Sequence, residues 1–393
     1  MNTSRIRVKA PFVIRTSSFF RHSDFVIRHS LCLVLFAFHA IFLPSAHADN
    51  WPLFRGSPSA AGVAEGPLPD KLELLWKKNF KDGLFEAAPA IVDGVIYIGA
   101  LDGYFRALDL ATGNERWNYH SELGFKASAA VRDGRVFVGD CDGKFHCLDA
   151  ATGKLLWGHT TDAEINAGAN FYKDKVLCAS QDGTLYCLTA ADGKLAWKYS
   201  IEDMLQCSPA VIESRAFLAG CDGKLHIVDL DTGTAASKVD IGDPTGSTAA
   251  CLGDFAYFGT QGATFLCVDW KQAKIAWSWQ PRRKSPIQSA AALAEGLAIF
   301  GGRDRMVHAL DAKSGTETWS FATQSQVDCS PVVVGNRVFV GGGNGRLYAL
   351  DVKTGDKIWE YEAGAGFTAS PGVAEGRLVI GNDDGDLLCF GAK

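Results

Sequence analysis

The 393 residues carry 39 Lys and Arg against 44 Asp and Glu, with 47% hydrophobic and 21% charged residues, so a disordered chain is excluded. Residues 1–48 hold six of the basic residues and one acid, leaving 33 basic against 43 acidic in the remainder, a balance of −10. That balance disfavours nucleic acid or an anionic membrane surface as the principal partner. The 42 glycines with only 13 prolines point to many tight turns rather than to collagen or a Pro-rich linker.

At the N-terminus, Arg5 to Arg28 supply a basic stretch ahead of the apolar run Leu31 to Leu43, which is followed by Ala46-His47-Ala48. This pattern predicts a signal peptide cut after Ala48 and export to the periplasm or another part of the bacterial envelope. The apolar run is shorter than the roughly 20 residues a spanning helix needs, so an uncleaved anchor is the weaker alternative. No cysteine stands at a lipid-attachment position, and the mature chain is expected to lack a transmembrane segment. Residues 49–70 read as a lead-in to the repeats.

From residue 71 to 393 the chain repeats. Units start at 87, 127, 167, 207, 247, 289, 329 and 369, at spacings of 40 with one of 42. Each opens with small residues such as Cys207-Ser208-Pro209-Ala210. A β-rich apolar run follows, then an Asp-Gly or Asn-Gly pair, a third run ending in Leu-Asp, and a Trp-bearing fourth run. Asp-Gly between apolar runs predicts a two-residue hairpin with positive φ at both turn residues, and so a four-stranded antiparallel meander per unit. Strands two and three are apolar on both faces, so each sheet needs cover on both sides, as radially stacked blades provide. The last unit lacks its Trp strand, while Lys71 to Phe80 carries an orphan one with Trp76. The predicted fold is therefore an all-β, eight-bladed β-propeller in which the N-terminal strand completes the C-terminal blade. Seven blades plus a stray strand is the alternative. Trp76, Trp117, Trp157, Trp197, Trp277, Trp319 and Trp359 are its blade-docking tryptophans, with Ser237 in the equivalent place of unit four.

The string A-x-D-x-x-T-G-x-x-x-W, complete at Ala107 to Trp117 and varied at Cys147 to Trp157, Ala309 to Trp319 and Ala349 to Trp359, resembles the docking motif of the pyrroloquinoline quinone (PQQ) repeat family. Trp51-Pro52-Leu53-Phe54-Arg55-Gly56 is similar to the W-P-x-F-R-G opening of such chains. The resemblance implies either a quinoprotein dehydrogenase or the non-catalytic branch that includes BamB, of the outer-membrane barrel assembly machinery. The alcohol dehydrogenases of the enzymatic branch bring an adjacent Cys-Cys disulfide and long insertions carrying Ca²⁺ ligands and a catalytic Asp. Neither is found among these regular units. The sequence thus points to an exported, monomeric scaffold for a protein or peptide partner, with no catalytic residue, metal or cofactor expected. A dehydrogenase of alcohols or sugars, using PQQ and Ca²⁺, is the alternative.

Four sets of residues remain as candidates. The residue before each unit start is Glu86, Lys126, Asn166, Gln206, Gly246, Gln288, Asp328 or Thr368, which predicts a mostly polar ring at a channel mouth, serving as pore solvation or as a ligand pocket. Arg282, Arg283 and Lys284, with Arg303 and Arg305 in the next unit, form basic loops on the same face, suited to an acidic partner or simply solvated. His146, His226 and His308 share one repeat position, are spread around the ring and read as structural filling. Finally, a two-residue Asp182-Gly183 turn would place Cys178 opposite Cys187 at a non-hydrogen-bonded site, able to form a labile disulfide. The other cysteines occupy small core positions.

Overall fold

The structure, a computed structural model, describes residues 49–393. The export segment and its cleavage site lie outside the described residues. Eight four-stranded antiparallel blades follow one another along the chain, the sheet of the seventh gaining a short fifth strand. The first contains Ala90–Val92, Val95–Gly99, Tyr104–Asp109 and Glu115–His120, and its strand order is repeated by the rest. Glu73–Asn79 pairs antiparallel with Asp386–Gly391 and completes the eighth sheet, so the ring closes as an eight-bladed propeller. Among the described residues no helix is long and apolar enough to cross a membrane.

Strands two and three explain the radial stacking. Val95–Gly99 is buried at every position, and the equivalent strands of the other blades are nearly so. Each of these strands therefore packs side chains into both neighbouring interfaces, and the core is a series of layers between sheets rather than one centre.

The fourth strands dock those layers. Six Trp indole N–H groups donate to a backbone carbonyl of the next blade at 2.8–3.2 Å, from Trp76 to Leu110 round to Trp319 and Val352. The indole then lies over the glycine of the next blade's Thr-Gly or equivalent turn. Gly153 has φ 72°, and a Cβ there would meet the Trp117 ring at 2.5 Å. Asp149 holds the same turn by accepting the Thr152 N–H and hydroxyl. Between blades four and five the device is replaced. Ser237 stands where Trp is expected, the glycine position is Ala273 at φ 50°, and Trp270 fills the layer instead, 5.4 Å from Phe217 with its N–H on the Gly253 carbonyl.

Two expectations fail for one reason. In the Asp-Gly turns only glycine is left-handed (Gly103 at 91°, Gly183 at 81°), so each loop holds three residues, a type I turn with a glycine bulge. The two-residue turns with both residues at positive φ lie between strands one and two, as at Asp93-Gly94 (49° and 70°). Consequently Ser180 pairs with Thr184, Cys178 with Tyr186 and Leu177 with Cys187. A shift of one residue sends the two cysteines to opposite faces of the sheet and into different core layers, so the predicted disulfide is not formed. All ten described cysteines are free thiols.

Gly153→Ala is expected to lower stability by about 2 kcal/mol or more, from left-handed strain plus the clash with Trp117. Ala273→Gly, where no indole overlies the turn, should leave stability within about 1 kcal/mol of the parent or raise it. Urea unfolding of the two variants checks the contrast.

Candidate functional site at the channel mouth

Strand one of each blade borders the central channel and is an edge strand whose outward N–H groups need partners. The lead-in segment supplies them. The N–H of Ile91 donates to the Trp51 carbonyl, that of Val131 to Pro52, Val211 to Pro58, Cys251 to Ser59, Leu293 to Ala61 and Val333 to Gly62, at 2.7–2.9 Å. All six donors occupy the same repeat position, the fifth residue of their units. In the third blade Asn170 takes over: its carboxamide oxygen accepts the Phe171 N–H while its amide donates to the Pro58 and Pro209 carbonyls. Val63–Ala64 ends the circuit as a short parallel strand on Val332–Val334. Arg55 pins this strap from inside. Its side chain is 1% exposed, and it donates to the Ala291, Ser330 and Pro331 carbonyls at 2.5–3.2 Å. Burial pulls its pKa down to about 9, with Cys329 opposing.

Because the strap crosses the channel, the mouth is a blind cup. Its rim is made of the eight residues before the unit starts, which between them line two overlapping recesses of about 140 and 320 Å³. Below the rim runs a belt of hydroxyls in which Ser128, Ser208, Thr248, Ser330 and Ser370 each accept a backbone N–H of the preceding blade at 2.8–3.0 Å. Phe54 of the strap, half-buried, is the floor of both recesses. Gly246 interrupts the polar rim because the Gln206 carboxamide lies against it, at 2.9 Å from where a Cβ would be. A larger cavity of about 370 Å³ lies between the lead-in segment and the Glu375-Gly376 turn, but Glu375 there is already engaged by the Gly94 N–H.

Charge at the mouth is mostly committed. Arg303 holds Asp328 through two bonds of 2.9 and 3.0 Å and also donates to Gln288. Lys126 lies 3.8 Å from Glu164, whose carboxylate accepts the Asn166 amide. Glu86 is half-buried and has no hydrogen bond or ion pair among the described residues; burial pushes its carboxyl above the usual range, Lys126 opposing and Asp383 and Glu164 adding. Asp383, behind Thr368, is likewise raised by burial, against the Thr368 N–H and with Asp384 and Asp328 adding.

A family model described as outer membrane protein assembly factor BamB matches residues 71–128, 102–278 and 221–393. The chain belongs to that family. BamB from Moraxella catarrhalis superposes with a TM-score of 0.69 at 19% identity, covering 82% of this chain and 98% of that one. Quinohemoprotein alcohol dehydrogenase from Comamonas testosteroni gives 0.74 at 18%, covering 88% and 81%. A europium-containing methanol dehydrogenase gives 0.73 at 15%, covering 88% and 98%. No curated protein sequence matches the chain. At these identities the structural likeness shows the fold alone, which both BamB and the dehydrogenases share.

The basic loops separate on inspection. Arg282, Arg283, Lys284 and Arg305 are exposed, whereas Arg303 turns inward to the rim and is neutralised by Asp328. The Arg303 N–H donates to the Pro286 carbonyl at 3.2 Å, which ties the two loops together beside the cup. The sequence offered no signal that Arg303 would be taken by a residue of the ring, because the pair is 25 residues apart and spans two blades.

The three histidines anchor turns. Nε2 of His146, His226 and His308 meets Asp140, Asp222 and Asp304 at 2.7–2.9 Å, and Arg106 and Tyr186 do the same for Asp102 and Asp182. No three His, Cys, Asp or Glu side chains converge as metal ligands among the described residues. Nδ1 distinguishes the histidines. In His226 it faces the Tyr199 hydroxyl, and burial keeps the pKa below 6.5 against the pull of Asp222. In His308 it faces Glu317 at 2.8 Å, and although burial lowers the pKa, Asp304 and Glu317 together carry it above 6.5. A raised histidine pKa stabilises the fold fully below the unfolded value of 6.5 and ceases to do so as pH rises through the folded value. Glu317→Gln should therefore destabilise the protein more at about pH 5.5 than at about pH 8.5, as measured by urea unfolding at both.

Proposed function

We propose that the chain is an exported, non-catalytic binding scaffold that works in envelope protein assembly, using the mouth face to hold a protein partner. The observation that carries this reading is the blind cup. It is a polar rim over an aromatic floor, built on backbone from every blade, next to four exposed basic residues. Membership of the BamB family supports the assembly role, and export follows from the segment 1–48 as the sequence presents it.

The dehydrogenase reading asks the mouth to hold PQQ, a planar tricarboxylate, together with a cation. The residues present are a poor match. Arg303 and Lys126, the cations at the mouth, already face Asp328 and Glu164, while Glu86 and Asp383 add negative charge that the site accommodates badly. The strap and Phe54 also occupy the axis beneath the rim. A regular set of short loops brings no converging acid, base and nucleophile.

The test is an affinity capture from envelope extract using the tagged chain, with a variant in which Arg282, Arg283, Lys284 and Arg305 are all changed to Glu. Recovery of outer-membrane assembly components by the parent, reduced at least about tenfold in the variant, is expected if the basic loops steer an acidic partner. Dye reduction with alcohol or sugar substrates after addition of PQQ and Ca²⁺ would contradict the reading.

A further inference from the structure

Beyond the choice of partner, the inside of the cup has a specific chemical preference. Glu86 brings a carboxylate with no donor to both recesses. Asn166 stands beside it on the rim, its amide held by Glu164 at 3.1 Å and its Oδ1 buried out of contact with the recess. A carboxylate without a donor in a recess calls for a ligand that brings N–H donors and positive charge. Charge agrees. The Arg303–Asp328 and Lys126–Glu164 pairs cancel, so Glu86 leaves the recesses with one unpaired negative charge. Phe54, half-buried, lines both recesses with an aromatic ring, a group that attracts an ammonium or guanidinium.

We infer that the cup is a receptor for an alkylammonium or guanidinium group, which would lie against Phe54 and donate to Glu86. It rests on the scaffold reading, since such a group is what a lysine or arginine side chain of a protein partner presents. A free polyamine offers the same chemistry. A positive charge arriving beside Glu86 opposes the burial that raises its carboxyl, which couples filling the cup to ionising that group.

Calorimetric titration of the full chain tests this with three probes: an N-acetylated, C-amidated Gly-Gly-Lys-Gly-Gly peptide, its norleucine counterpart, and spermidine. Saturable binding of the lysine peptide, at least about tenfold tighter than the norleucine peptide and weakened by at least about tenfold in Glu86→Gln, is expected for a partner's side chain. Binding of spermidine alone with the same loss in Glu86→Gln assigns the site to a free amine. Failure of every probe to bind at about 10 mM overturns the inference, as does binding unchanged in Glu86→Gln. Neither result touches the scaffold reading, which stands or falls on the capture from envelope extract.

Discussion

Everything at the mouth depends on how the inner edge of the ring is satisfied. A propeller removes edges between its blades, but strand one of each blade still faces the channel with unpaired N–H groups, and an unpaired buried N–H costs about 1–3 kcal/mol. One irregular segment, Trp51 to Ala64, meets that need at the same repeat position in six blades, with Asn170 substituting in a seventh. The same act turns an open tube into a cup. Phe54 reaches the floor because Leu53 and Arg55 on either side of it are buried in the wall, and Arg55 stays there through three carbonyls instead of a carboxylate.

The outer edge follows a different rule with the same economy. Trp and glycine go together across six of the eight interfaces, since the indole needs a turn with no Cβ beneath it. Where the chain has Ser237, it also has Ala273, and Trp270 enters the layer from the other blade. This interface shows that the requirement is a filled layer with a satisfied indole N–H, and that the position of the tryptophan is secondary. The irregular blade is also the one that leads into Arg282, Arg283 and Lys284, so the face of the ring loses its symmetry there.

Repetition made most of the fold legible. Eight aligned units, an orphan Trp strand at Trp76 and two-faced apolar strands leave little freedom in the architecture. The ring of residues before each unit start was legible for the same reason, since equal spacing places equivalent residues at equal depth. Turn geometry was not, because an Asp-Gly pair serves both a two-residue turn and a glycine bulge, and the choice moves every later pair by one position. Cys178 and Cys187 show the consequence. The strap was also hidden. Residues 51–64 carry no repeat and almost no regular strand, and their partners lie up to 276 residues away, as Arg55 and Pro331 do. The pairing of Arg303 with Asp328 was invisible on the same grounds, being a contact between blades rather than along the sequence.

The central claim is that this strap, held by Arg55, closes the channel and makes the cup. Amide hydrogen exchange reads it directly in the parent and in Arg55→Met, which keeps the length of the side chain and removes its donors. The account predicts slow exchange at Ile91, Val131, Val211, Cys251, Leu293 and Val333 in the parent. In the variant all six should accelerate together by roughly a hundredfold while strands two and three stay protected. Unchanged exchange at those six amides would contradict it.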